Sequence, residues 1–243
     1  MLSLDINNDK LVTIKESCSV ILNTNISNIK YELNDTNASI LVFNNNNDIS
    51  ILNESGVINN SQVNICYLQL DRFDFKQNTN IVVKENSKLY VNTTYLGVKN
   101  KEIVFDLIND GSDSLVEIAN NIVCLNDANF SLDCIGTIKK GSKRSICHQK
   151  SKCLTIEKPN KAKVLPILNI DENDVEASHS LSSGTIDDEI MFYMNSRGLD
   201  KKEALKLILE SYLMPSEDYY RPYTNGEYIK EIANKKVEDI CLI

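Results

Sequence analysis

Residues 173–213 read NDVEASHSLSSGTIDDEIMFYMNSRGLDKKEALKLILESYL, and within them the chain changes its period. His179 sits here in a run of small polar residues that reads as a loop. Asp187, Asp188 and Glu189 follow, and acids at a helix start complement its dipole. Ile190, Tyr193 and Met194 then fall at helical spacing. Ser196-Arg197-Gly198 closes that first helix, with Gly198 suited to a left-handed cap. Asp200 and Glu203 have the spacing of a capping box for a second helix, 200–213. Leu205, Ile208, Leu209 and Tyr212 form its apolar face, and Pro215 limits its continuation. A third helix is expected over 226–238, in a tyrosine-rich tail.

Upstream, residues 1–170 have no helical stripe. They consist of short bursts such as SVILNT, SILVFN, KLYVNTTYL, EIVFDLI and FSLDCIGTI, punctuated by Asn, Asp, Gly and Ser. Such bursts are strands, and without helical crossovers they do not make a βαβ sheet. No exact hexapeptide repeat is visible. Two architectures fit: an antiparallel sandwich and a coiled parallel β-helix. Asn-rich turns suit both, because Asn tolerates left-handed backbone and can stack in ladders. A coil also needs its ends protected, which the helical segment can do.

The chain has 243 residues, 42% of them hydrophobic, enough for one sizeable core. Net charge is −8, so nucleic acid is a poor partner. The lysines at 139–152 read as a solvated strand face. No apolar run reaches the roughly 18 residues of a membrane span. The first residues, MLSLDINNDKLVTIKE, lack the order of a secretory signal. The expected location is the cytoplasm, with no membrane partner. The seven cysteines are scattered and form no CxxC, which predicts reduced, mostly buried thiols.

The sequence contains no GxSxG elbow, HExxH, EF-hand or Walker loop. Two histidines, His148 and His179, remain as chemistry-bearing groups. His179 in a polar loop can ligate iron or zinc, or it can simply hold loop backbone. A metal-dependent β-fold enzyme using both histidines is the alternative reading. Cys147 and His148 are adjacent, so in a strand they face opposite ways. Cys153 shares the face of Cys147 only if the strand is unbroken.

The stretch from Pro166 onward resembles the C-terminal core of the SufB/SufD iron–sulfur assembly proteins. The residues that carry this are Pro166-Ile167-Leu168-Asn169-Ile170, Ser178-His179-Ser180, Gly184-Thr185-Ile186-Asp187, Phe192-Tyr193, Ser196-Arg197-Gly198-Leu199 and Glu203-Ala204. His148-Gln149-Lys150-Ser151-Lys152 with Leu154 is similar to the family's Gln-x-x-x-x-Leu strand. The resemblance implies a mainly β fold, a right-handed parallel β-helix over 1–182, followed by a C-terminal α-helical segment over 183–243. It implies a scaffold and not an enzyme, handling a transient iron–sulfur cluster at the interface of a homo- or heterodimer with a SufB/SufD-like protein. His179 matches the family's loop histidine, with Cys147 and Cys153 the nearest thiols. Asp187, Phe192, Tyr193, Arg197, Gly198, Leu205 and Leu209 match the region that docks a SufC-like ABC ATPase. Ala177 stands where SufD-like members often carry Cys. Ser178 and Ser180 replace the glutamates of SufB-like members. Lys150 falls at the SufB-like cluster cysteine. The pattern is that of a minimal, SufD-like member.

Overall fold

Alternating burial along each burst builds strands with one face inward. The computed structural model describes residues 2–125, 128–156 and 161–213, and in the tail Glu227, Lys230, Glu231, Asn234, Lys235 and Glu238. Its strands are β1 (Leu2–Ile6), β2 (Leu11–Ile14), β3 (Cys18–Leu22), β4 (Ile26–Asn34), β5 (Asn37–Asn44), β6 (Ser50–Asn59), β7 (Gln62–Gln69), β8 (Phe75–Val83), β9 (Lys88–Gly97), β10 (Asn100–Asn109), β11 (Leu115–Cys124), β12 (Asn129–Ile138), β13 (Ser145–Thr155), β14 (Lys161–Ile170) and β15 (Val175–Thr185). Helices α1 (Asp188–Ser196) and α2 (Lys201–Leu213) follow. Odd strands form one sheet in the order β1-β3-β5-β7-β9-β11-β13-β15, and even strands form the other, β14-β12-β10-β8-β6-β4-β2. Every pairing is parallel. The chain is therefore a parallel β-solenoid, and the antiparallel sandwich is ruled out. Asn37 lies opposite Gln62 and Gln62 opposite Lys88, so single turns take 25 and 26 residues.

One corner sets this period. Asp35, Asn60, Asn86, Asp113 and Arg144 all have positive φ, at intervals of 25, 26, 27 and 31 residues. Asn and Asp adopt this backbone at lower cost than other side-chain-bearing residues. The corners stack: the Asn60 amide donates to Asp35 at 2.6 Å, and the Arg144 Nε to Asp113 at 2.8 Å. Each of the last four is followed by a buried serine, Ser61, Ser87, Ser114 or Ser145. On the outer face, an asparagine ladder runs from Asn78 to Asn53 to Asn28. The expected Asn ladders are present.

Inside, side chains pile in lanes. Ile40, Ile65, Val91 and Ile118 succeed one another across four turns, each at most 2% exposed. A fully buried aliphatic side chain of this kind contributes roughly 1.5–3 kcal/mol. A second core lies outside the coil. Leu41, Phe43, Leu68, Leu96, Val123 and Leu154 point outward near the C-terminal ends of odd strands. They are nevertheless buried, in a cluster that includes Leu209 and Leu213 of α2. A helical segment can cover the end of a coil. Instead α2 lies on the face of the odd sheet at β9 and β11, because that face carries the apolar stripe.

The capping box of α2 is formed: the Glu203 N–H donates to Asp200 at 2.8 Å, and the Asp200 N–H to Glu203 at 2.9 Å. Asp187 caps α1, and Gly198 has φ +93°. The expected helix 226–238 lies largely outside the described residues; the six that are described are helical. Among them Glu238 accepts an ion pair from Lys206 at 2.8 Å. Among the described residues no helix is long and apolar enough to cross a membrane.

Candidate functional site

β13 is unbroken from Ser145 to Thr155, and its side chains alternate cleanly. Cys147, Gln149, Ser151 and Cys153 point into the coil and are at most 3% exposed, whereas Lys150 and Lys152 are exposed on the outside. β15 pairs with β13 in parallel, placing Ala177 beside Cys147, His179 beside Gln149 and Ser183 beside Cys153. His179 is thus on a strand and not in a loop. Val175-Glu176-Ala177-Ser178 has weak strand character of its own, but the open edge of β13 supplies the backbone partners. β15 is the outermost strand of its sheet and is exposed along nearly its whole length, including His179.

Parallel register places His179 on the inner face, at the open last turn of the coil. It lies one strand over and two residues along from Cys147. Cys153 is six residues from Cys147, about 20 Å along the strand at ~3.3 Å per residue. The imidazole and Cys147 therefore share a neighbourhood that Cys153 does not enter. Gly136 faces Cys147 and Gln149 from β12. A Cβ there would come within 2.5 Å of the Cys147 Sγ and 2.7 Å of the Gln149 Nε2, so the missing side chain makes their room.

Burial pushes the Cys147 thiol up to about 12, and the Cys134 thiol to about 12, with the nearby Cys147 adding to the latter shift. Both are neutral thiols in the closed coil. Cys153 is shifted down by a hydrogen bond from Cys124, while Cys124 is raised by the same contact. The two thiols are joined by that hydrogen bond inside the coil. The six described cysteines are all buried free thiols, as expected; Cys241 lies outside the described residues.

His148 faces the other way. Its Nδ1 lies 2.7 Å from the Ser178 Oγ and its Nε2 lies 3.3 Å from Glu176. It borders a surface groove of about 380 Å³ with Tyr90, Glu117 and Lys150. The two histidines occupy opposite faces of the odd sheet, so the two-histidine metal enzyme has no common site. Among the described residues no three His, Cys, Asp or Glu side chains gather to hold a metal ion.

The helical residues separate into two groups. Ile190, Phe192 and Tyr193 on α1 are 50%, 76% and 58% exposed, and α1 buries no residue. Arg197 lies over the Tyr193 ring, 5.2 Å from its centroid. Leu209 is wholly buried against the coil, and Leu205 packs at the edge of the same cluster. Those two leucines anchor the helix, while α1 carries exposed apolar side chains.

The family model for the SUF system FeS cluster assembly, SufBD core domain, matches residues 15–212, which take in nearly all of the coil and both helices. The chain belongs to the SufBD core domain family. It is 31% identical over 119 residues to the iron-sulfur cluster assembly protein SufD of Bacillus subtilis (strain 168), covering 49% of this chain and 27% of that one. It is 40% identical over 47 residues to the SufD of Escherichia coli (strain K12), covering 19% of this chain and 11% of that one. The matched stretches thus span about a quarter or less of either SufD relative.

SufBD membership ties the chain to iron–sulfur cluster assembly by the SUF system. Sequence reasoning overlooked two parts of this SufBD coil. The repeat was legible as Asn60-Ser61, Asn86-Ser87 and Asp113-Ser114 near one period, rather than as a hexapeptide. Gln149 was quoted within a motif and assigned no role.

Proposed function

We propose that the chain is a SufD-like scaffold subunit of a cytoplasmic SUF-type assembly complex, without turnover of its own. Its coil, 1–182, pairs with a second copy or with a SufB-like chain. Its helical segment, 183–243, binds a SufC-like ABC ATPase. The observation that carries this reading is the open last turn: β15, an edge with no outer strand among the described residues, and an exposed imidazole on its inner face. An unpaired edge is a template for another strand. One imidazole and one nearby thiol are too few to hold a cluster, which is normally bound by several thiolates. A second chain at that edge supplies the remaining ligands, and the cluster is cargo held between the two.

His179 is the ligand this chain offers first, Cys147 the second, and Cys153 is a core residue. Anaerobic reconstitution with iron and sulfide, in the presence of the pairing chain and read by visible absorbance, tests this order. His179→Ala should lower cluster yield about 10-fold or more. Cys147→Ala should lower it less, and Cys153→Ala should leave it unchanged. Full yield from His179→Ala would end the assignment.

The ATPase contact is expected on α1. Phe192 and Tyr193 touch no core, so Phe192→Asp and Tyr193→Asp should leave the melting temperature alone. Each should weaken capture of a SufC-like ATPase roughly 30-fold or more, as for an aromatic anchor at an interface. Undiminished co-purification of the double variant would refute the docking surface. Deleting α2 is a poorer test, because it strips Leu209 and Leu213 from the coil.

A further inference from the structure

Gln149 is 3% exposed, and its amide orientation is fixed: Nε2 donates to the Ile167 carbonyl at 3.1 Å. Its Oε1 is therefore turned away from that carbonyl, buried, and without a donor. A buried acceptor left unmade costs about 1–3 kcal/mol, which favours a group that completes it. The side chains around it narrow the choice. Cys147 and Ser151 are its inner-face neighbours on β13, and Gly136 opposite has no side chain. Ile118 is its partner on β11, and on β15 the residue directly beside it is His179. The His179 imidazole makes no hydrogen bond among the described residues, and its ring is on the same face of the sheet. An orphan acceptor and an unengaged imidazole thus stand on adjacent strands at one register position.

We propose that Gln149 is a positioning residue for His179: its Oε1 accepts the N–H of one ring nitrogen. This bond selects a single tautomer and turns the other nitrogen, with its lone pair, toward the open end of the coil. Metal-binding imidazoles generally donate their second nitrogen to such a partner, which fixes ring orientation. The inference rests on the reading above only in giving that exposed lone pair iron as its target. The hydrogen bond itself needs no second chain: it forms when the exposed His179 ring turns toward the Gln149 Oε1, which has no partner among the described residues.

The test is 15N NMR of the imidazoles in the full chain, recorded with the rings neutral, comparing wild type with Gln149→Met. The methionine keeps the shape and removes the acceptor. Only two histidines are present, and His148, held by Ser178 and Glu176 on the far face, reports that β13 and β15 remain paired. Wild-type His179 should favour one tautomer, and the variant should lose about fivefold of that preference, with the His148 signals unchanged. The same His179 tautomer ratio in both proteins would overturn the proposal and leave a water as the partner of Oε1. A second arm uses Co(II) alone, titrated anaerobically into the chain. Gln149→Met should weaken His179-dependent binding about 10-fold, and unchanged affinity counts against positioning. Co(II) binding that survives His179→Ala would instead sink the ligand role of His179, and the tautomer result would still decide the role of Gln149.

Discussion

Replacing Asp71 by Ala should destabilise the protein by about 3–5 kcal/mol, the range for breaking a buried ion pair from one side. Lys101 points into the coil from β10, and its Nζ lies 2.6 Å from the Asp71 Oδ1, with side-chain exposures of 0% and 1%. Burial pulls the Lys101 ammonium below its ordinary range, and the Asp71 carboxylate works against that shift. Removing the carboxylate leaves the cation with the Asp71 main-chain carbonyl, the Phe75 ring and the more distant charge of Asp74. It also takes one of two acceptors from the Asn44 amide, which donates to Asp71 at 3.1 Å and to Ser50 at 3.0 Å. The pair joins the corner between β7 and β8 to the next turn, so the damage should spread along the coil. Chemical denaturation provides the measurement. Asp71→Ala combined with Lys101→Met should recover most of the loss, since an apolar pair of similar volume is tolerated where a lone charge is not. Additive losses in the double variant would show that the ion pair is not the cause.

Glu54→Ala should cost a similar amount, about 3–5 kcal/mol, through unmade hydrogen bonds. Glu54 faces the lumen from β6 at 5% exposure. It accepts from the hydroxyls of Tyr31 and Thr79 and, at 3.2 Å, from the Gln77 amide; the Tyr95 hydroxyl then donates to Gln77 at 2.7 Å. Truncation takes the acceptor from three buried donors, of which the Gln77 amide keeps Thr79. Burial raises the Glu54 carboxyl above its ordinary 4.5, and the hydrogen bonds only partly offset this. The sign follows: the folded state holds this proton more tightly than the unfolded chain. The stability gained from it is complete below pH 4.5 and is lost as pH rises through the elevated folded value. Against a Glu54→Gln reference, the wild type should lose up to about 1.4 kcal/mol per pH unit across that window. A difference between the two proteins that does not change with pH would contradict the shift.

The helical pair was legible because its signals are local. Asp187, Gly198 and the Asp200–Glu203 box act within a turn of backbone, and each does in the structure what its residue type dictates. The strands were legible for the same reason. Their arrangement was not, since alternation describes a strand in a sandwich and in a coil equally well. His179 was misread as a loop residue because Ala177, Ser178 and Ser180 have little strand propensity, and the hydrogen bonds that hold β15 come from β13.

The sequence by itself determined element type outside β15, the two helix caps, the absence of a helical crossover and the family motifs around His179. Each of these depends on neighbours a few residues away. Tertiary structure alone decided that Leu209 faces the coil while Phe192 does not, that His148 and His179 fall on opposite faces, and that Gln149 stands beside His179. Those facts depend on which strands pair and in what register. Register is set by corners some 25 residues apart stacking on one another, a long-range condition that no local window of the chain contains.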